Sequence, residues 1–286
     1  MSKVEYLKKA VINLAISDFS RAEAVELLGI ESQFVINKSS AAEPHFRPMV
    51  YEESWIDQTL SRYGISRPFI LYTGGSDTRK NLVRLIRAYQ QLPKSQHQRT
   101  QLVFAGRMSL DFLHEVKSLR RADDQLVFTD FVAEEDLVAL YNLCECLVFP
   151  SWHEGFGLPV LEEMSCGAVV VAANAASVPE VLGEPEALFD PFDVNDMSGK
   201  LWSALCDETF RERMRDHALR QSKQFSWTAT ARAAISSWEA VVNEKGGSKG
   251  RAAGSRSMSS SRTCGVGAST KRSIRQRLAR REEHTG

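Results

Sequence analysis

Glu154 and Glu162 bracket the stretch "HEGFGLPVLEE" (153–163), with two glycines, an aromatic and a proline between them. A surface turn needs no such arrangement, whereas a phosphate at the mouth of a parallel sheet would. Gly155 and Gly157 admit backbone angles closed to other residues and keep side chains out of a ligand's path. Pro159 suits the first turn of a helix, where its missing N–H is no loss. The unpaired amides of such a helix start favour an anion. Glu162, read as lying in that first turn, is expected to be held ionised by the helix dipole. An ionised carboxylate only accepts hydrogen bonds and so suits a vicinal diol such as a ribose. Glu154, before the glycines, can accept from hydroxyls on the other side of the anion. The pattern fits a nucleoside diphosphate flanked by two sugars. A plainer reading is a glycine-rich strand-to-helix turn with two solvated glutamates. A dinucleotide fingerprint is discounted: "GFGLPV" begins like G-x-G-x-x-G, but its third glycine would be Val160 and it follows a late strand.

Two other segments carry unusual residues at the ends of apolar runs. After "FILYT" (69–73) comes "GGSDTRKN", where Gly74 and Gly75 let backbone approach a ligand and Arg79 and Lys80 precede a helix. After "QLVFT" (125–129) comes "DFVAEED". Plain readings exist here too: Lys80 as a solvated helix start, Phe131 as a core aromatic, His153 as surface or packing.

The elements that must position these residues are legible in the apolar pattern. Strand-like runs are "FILYT", "QLVFA" (101–105), "QLVFT", "CLVFP" (146–150), "AVVVA" (168–172) and a weaker "ALF" (187–189). Helix-period segments separate them, from "NLVRLIRAYQQL" to "TATARAAISSWEAVV". Strands apolar on both faces and separated by helices predict a parallel sheet covered on both sides. The expected fold class is therefore α/β, a doubly wound, Rossmann-like parallel sheet within 51–245, its core running from about Pro68 to Asn243. In such a sheet ligands bind outside the carboxyl ends of the strands, where all three segments lie. Residues 1–50 give a strand, a helix capped near Ser17 or Asp18, another strand and an irregular link. They look like the closing piece of a domain whose main part lies outside this chain.

Charge is unevenly spread. Residues 246–286 hold ten Lys/Arg against two Glu, a net +8, which leaves 26 basic and 34 acidic residues, net −8, in 1–245. This Gly-, Ser- and Arg-rich tail has too little apolar content to offset ordering entropy and is expected to be disordered, with a short helix near "IRQRLARREE". A basic tail could touch an anionic membrane or nucleic acid. It lacks aromatics to stack on bases, so no specific nucleic-acid partner is expected, and a solvated appendage is preferred. The five cysteines show no metal or disulfide spacing. Cys144 and Cys146 are read as small buried hydrophobes in a reducing cytoplasm. No apolar run approaches the roughly 18 residues a spanning helix needs, and no signal peptide is read.

These residues also carry a resemblance. "EGFGLPVLE", with Glu154 and Glu162 in E-x7-E spacing, resembles the motif of glycosyltransferase family 4, retaining enzymes of the GT-B fold. "YTGGSDTRKNLVRLIRAY", "FTDFVAEEDLVALYNLCECLVFPS" and "FSWTATA" are similar to the family's first C-domain strand and loop, the approach to the motif, and the terminal helix. The similarity covers most of residues 10–243. It implies the C-terminal, donor-binding half of a GT-B enzyme, with 1–50 a remnant of the N-terminal domain and interdomain link. It further implies hexose transfer from a nucleotide-diphosphate sugar to a glycan or lipid-linked acceptor, in bacterial surface-polysaccharide assembly. By the resemblance, Glu154 and Lys80 are the catalytic candidates. Lys80 with Arg79 would neutralise the diphosphate at the Gly74 loop. Gly155 and the amides of Phe156, Gly157 and Leu158 would hold the sugar and distal phosphate. Glu154 would bind sugar hydroxyls, Glu162 the ribose, and the backbone of Phe131 and Val132 the base. No metal or cofactor is implied beyond the donor substrate. The implied location is the cytoplasm, with peripheral contact at the inner membrane face and self-association through the N-terminal region. Many relatives have an arginine where this chain has Gly75, which shifts phosphate neutralisation onto Lys80 and Arg79. Other readings are a catalytically silent nucleotide-sugar-binding fragment and a basic-tailed nucleic-acid binder.

Overall fold

The computed structural model describes residues 2–247, with side chains through Asn243. In chain order the elements are α1 (Lys3–Lys9), β1 (Asn13–Ala15), α2 (Asp18–Glu26), β2 (Val35–Asn37), α3 (Glu53–Arg62), β3 (Phe69–Thr73), α4 (Leu82–Tyr89) and α5 (Lys94–His97). There follow β4 (Gln101–Ala105), α6 (Leu110–Leu119), β5 (Leu126–Asp130), α7 (Glu134–Leu143), β6 (Cys146–Phe149) and α8 (Leu158–Ser165). The chain continues through β7 (Val170–Ala173), α9 (Val178–Leu182), β8 (Leu188–Phe189), α10 (Val194–Cys206), α11 (Glu208–Ser222) and α12 (Trp227–Gly247).

Six strands form one sheet in the order β5-β4-β3-β6-β7-β8, every pair parallel. The runs read as apolar on both faces are the sheet's centre. Every residue of β3, β6 and β7 is buried, and each large apolar side chain so placed contributes roughly 1.5–3 kcal/mol. Helices cover the faces as the alternation predicts. Leu85 and Ile86 of α4, Leu140 and Tyr141 of α7 and Leu161 and Met164 of α8 are fully buried against the sheet.

The N-terminal piece stands apart from this sheet. β1 pairs with β2 in a separate two-stranded parallel sheet, with α2 between them in sequence. Ser17 caps α2, its side chain accepting from the Ser20 amide. α1, α3 and α5 had no counterpart in the sequence reading. α1 buries none of its residues and is defined by a capping box between Ser2 and Glu5, so it leaves no core-facing stripe to detect. α12 runs on to Gly247, two residues into the stretch read as tail. The other expectations for the basic tail fall outside the described residues. Among the described residues, no helix is long and apolar enough to cross a membrane.

Candidate functional site

The sheet order reverses between β3 and β6, adjacent strands whose chain connections run to opposite edges. A crevice opens above their carboxyl ends, and open α/β sheets bind ligands there. The loops leaving these strands are the two glycine-containing segments singled out in the sequence.

The first loop begins at Gly74, whose φ of 135° lies in the region open to glycine. The Tyr72 hydroxyl donates to the Gly75 carbonyl at 2.6 Å, and burial pushes the Tyr72 phenol pKa up, keeping it a donor. A 3₁₀ turn over Thr78–Lys80 leads to Asn81 at φ 60°. The Asn81 side-chain amide donates to the carbonyls of Pro150 (3.2 Å) and Pro191 (2.7 Å), and the Trp152 amide donates to the Arg79 carbonyl (3.0 Å). The Pro150 and Trp152 bonds tie the first loop to the second, and the Pro191 bond ties it to the chain just after β8. The result is a close pair: Lys80 Nζ lies 2.6 Å from Glu154 Oε1, with side chains only 14% and 13% exposed. Arg79 is shared, its guanidinium reaching the His153 carbonyl of the second loop at 3.5 Å. It binds Asp77 at 2.8 Å, and its guanidinium comes no nearer to Glu154 than 4.0 Å.

In the second loop Gly157 takes φ 104° and sets up α8, with Pro159 in its first turn. Gly155 does not have a positive φ; the freedom expected of it is unused. A Cβ there would meet Ile16 Cδ1 at 3.3 Å, a tight contact with the N-terminal piece that Ile16 would have to relieve. Among the described residues, the amides of Gly155, Phe156, Gly157 and Leu158 donate to no protein acceptor. The carbonyls on the same stretch are all engaged. Ser177 Oγ lies 3.0 Å from the Glu154 carbonyl and 2.9 Å from that of Phe156, while Ser20 Oγ donates to the Gly155 carbonyl at 2.9 Å.

Beyond Gly74 lies a pocket of about 260 Å³ lined by Gly74, Gly106, Arg107, Phe131, Val132 and Glu162, among others. Phe131 is 68% exposed, which removes the core-aromatic reading. Glu162 differs from expectation. It is the fifth residue of α8, not in its first turn, and so lies past the reach of the helix start. Burial raises its pKa, partly offset by the hydrogen bond it accepts from the Tyr141 hydroxyl at 3.0 Å. The helix dipole is therefore not what acts on this carboxyl; its burial is.

The structure thus gathers Lys80, Glu154 and the 155–158 amides at one end of the crevice, and Phe131, Val132 and Glu162 at the other. Sequence reasoning missed Gly106 and Arg107, although "QLVFAGR" places a glycine after a strand as "FILYTGG" does. It also missed Tyr141, whose periodicity marks only a core residue, and the two serines. His153 packs its ring edge-on to Phe19, centroids 5.6 Å apart, with Nε2 3.7 Å from Glu23. Cys146 is buried as read, whereas Cys144 is part-buried and its thiol lies 3.0 Å from the buried Glu163 carboxyl. The one metal-like grouping among the described residues is His97, Asp123 and Asp124, before β5 and so at the opposite end of the sheet. Asp124 is spent on His97 (2.8 Å), Gln90 (2.7 Å) and the Arg121 amide (2.7 Å), a structural network.

Residues 61–221 match the family described as glycosyl transferases group 1. The chain is 40% identical over 239 residues to the serotype-specific mannosyltransferase WbdA of Escherichia coli, covering 82% of this chain and 29% of that protein. It is 34% identical over 226 residues to the O-antigen chain mannosyltransferase B of Escherichia coli, covering 78% of this chain and 59% of the relative. This chain therefore spans less than a third of the first relative and under two thirds of the second. The solved structure of Anabaena HepE in complex with UDP-glucose has a TM-score of 0.68 at 21% identity, covering 82% of this chain and 65% of HepE. At that identity the likeness speaks for the fold.

Proposed function

The chain belongs to the group 1 glycosyltransferases, and from that premise we propose that its crevice binds a nucleotide-diphosphate sugar for retaining hexosyl transfer. The observation that carries the reading is the meeting of Lys80, Glu154 and the unclaimed 155–158 amides at the β3/β6 switch point. Backbone amides and a lysine side chain together make a site suited to an anion. The neighbouring pocket, with Phe131 and Val132 at its wall and Glu162 inside, is sized for a base and ribose. In the reaction an acceptor hydroxyl attacks the anomeric carbon on the leaving group's face, the C–O bond to phosphate breaks, negative charge develops on the diphosphate, and the departing phosphate oxygen takes the hydroxyl proton. Lys80 and the amides stabilise that charge, while Glu154, already at hydrogen-bond distance from Lys80, accepts from sugar hydroxyls.

The mannosyltransferase relatives favour mannose as the transferred hexose and an O-antigen-like glycan or lipid-linked glycan as acceptor. On this reading the protein works in the cytoplasm, in peripheral contact with the inner membrane face. Exposed Tyr6, Leu27 and Phe34 on the N-terminal piece favour self-association.

Isothermal titration with UDP-, GDP- and ADP-sugars, and with the matching nucleosides and diphosphates, tests the donor assignment. Lys80→Ala should weaken nucleoside-diphosphate binding by about tenfold or more, the worth of one charge-assisted hydrogen bond, and leave nucleoside binding nearly unchanged. Equal losses for both would refute the assignment.

A further inference from the structure

The carbonyls of Glu154, Gly155 and Phe156 each meet a serine hydroxyl. In a trans peptide the carbonyl and the following amide point in opposite directions within one rigid plane. Fixing those three carbonyls therefore fixes the direction of the Gly155, Phe156 and Gly157 amides, away from the serines. The outer two planes share the single hydroxyl proton of Ser177, which is fully buried at the start of α9. The middle plane is held by Ser20, 135 residues earlier in the chain, on α2 of the N-terminal piece.

α2 is itself seated firmly where this requires. Glu180, on α9, accepts from the amides of Asp18 (2.9 Å) and Phe19 (3.2 Å), the first two residues of α2. A carboxylate at a helix start meets both unpaired donors and the positive end of the dipole. Phe19 packs on His153, and Ile16 Cδ1 lies close over Gly155, 3.3 Å from where a Cβ would stand. Ile16, Phe19 and Ser20, within five residues of one another, thus meet two residues of the loop, His153 and Gly155.

We infer that Ser20 is a positioning residue of the donor site: from α2 it orients the Gly155–Phe156 peptide so that the Phe156 amide faces the donor's phosphate. The N-terminal piece is then part of the phosphate grip. The inference rests on the donor reading above, and the experiment separates the two.

Full-length wild type, Ser20→Ala, Ser20→Thr and Lys80→Ala are titrated calorimetrically with UDP, GDP and ADP. Each is also titrated with the nucleoside of whichever diphosphate binds tightest, and each variant's thermal melt is recorded. Ser20→Ala should lose roughly three- to tenfold in diphosphate affinity, the worth of one neutral hydrogen bond, with nucleoside affinity unchanged. Ser20→Thr, which keeps the hydroxyl, should bind like wild type. If Ser20→Ala binds diphosphate as wild type does while Lys80→Ala is impaired, the donor reading stands and the role of Ser20 falls. An equal loss for diphosphate and nucleoside in Ser20→Ala also overturns it, because that is general loosening. If wild type does not prefer diphosphate to nucleoside, the donor reading fails and takes the inference with it. Should Ser20→Ala lose its cooperative melt, Glu180→Ala, which unseats α2 and leaves Ser20 intact, must show the same selective loss or the inference is wrong.

Discussion

A carboxyl that accepts hydrogen bonds from a ribose works best ionised, yet Glu162 sits where ionisation is costly. Burial pushes its pKa up from the ordinary carboxylate value, and the adjacent Glu163, fully buried, is raised further by the same cause. A folded-state pKa above the unfolded value means that the folded protein binds more protons. That contribution to stability is fully present below the unfolded pKa and is lost as pH rises through the folded one. Ligand binding at Glu162 runs the other way and improves as the carboxylate forms. Glu162→Gln should flatten the fall in melting temperature from the usual carboxylate range upward, leaving the part due to Glu163. The same change should cost about tenfold in nucleoside affinity above the folded pKa, because an amide oxygen replaces a charged acceptor. Melting curves and nucleoside titrations across mildly acidic to neutral pH check both. A wild-type slope retained in the variant would show that Glu162 is not the titrating group.

Between elements, the tightest meeting is that of the glycines closing β3 and β4. Gly74 and Gly106 both have φ near +135°, the Gly74 amide donates to the Ala105 carbonyl at 3.0 Å, and a Cβ on Gly106 would fall 2.3 Å from the Gly74 carbonyl oxygen. Gly106→Ala must move backbone at the pocket wall, at a cost of about 2 kcal/mol or more, or roughly 4–8 °C in melting temperature. Nucleoside binding should weaken with it. An unchanged melt would mean that the two loops are not in this contact. The strands themselves were legible because a sheet buried on both faces leaves uninterrupted apolar runs. "FILYT" and "QLVFA" are β3 and β4 to the residue, while β7 begins two residues later than "AVVVA". Site residues were legible where glycine or charge broke such a run, as at Gly74, Lys80 and Glu154. Ser20 and Ser177 were not. A serine hydroxyl on a distant carbonyl is a tertiary event with no local signature, and the burial that raises the Glu162 pKa comes from packing around α8 that spacing along the chain does not encode.

Over the whole molecule, two sheets of unequal depth lie side by side in one unit through Asn243. β3 and β6 are fully buried at the centre of six strands, whereas β1 and β2 are three residues each and mostly half-exposed. Backbone amides of the small pair should exchange with deuterium through local opening, long before those of β3 and β6, which wait for global unfolding. Thermodynamic linkage is reciprocal: if α2 strengthens the grip on phosphate, bound phosphate must strengthen the seating of α2 by the same factor. Saturating nucleoside diphosphate should therefore slow deuterium uptake across residues 13–37, in strands that touch no ligand, and nucleoside alone should not. Uptake there that ignores the diphosphate would mean the small sheet breathes independently of the site. Uptake that responds would make the opening of that pair a gauge of how tightly the donor is held.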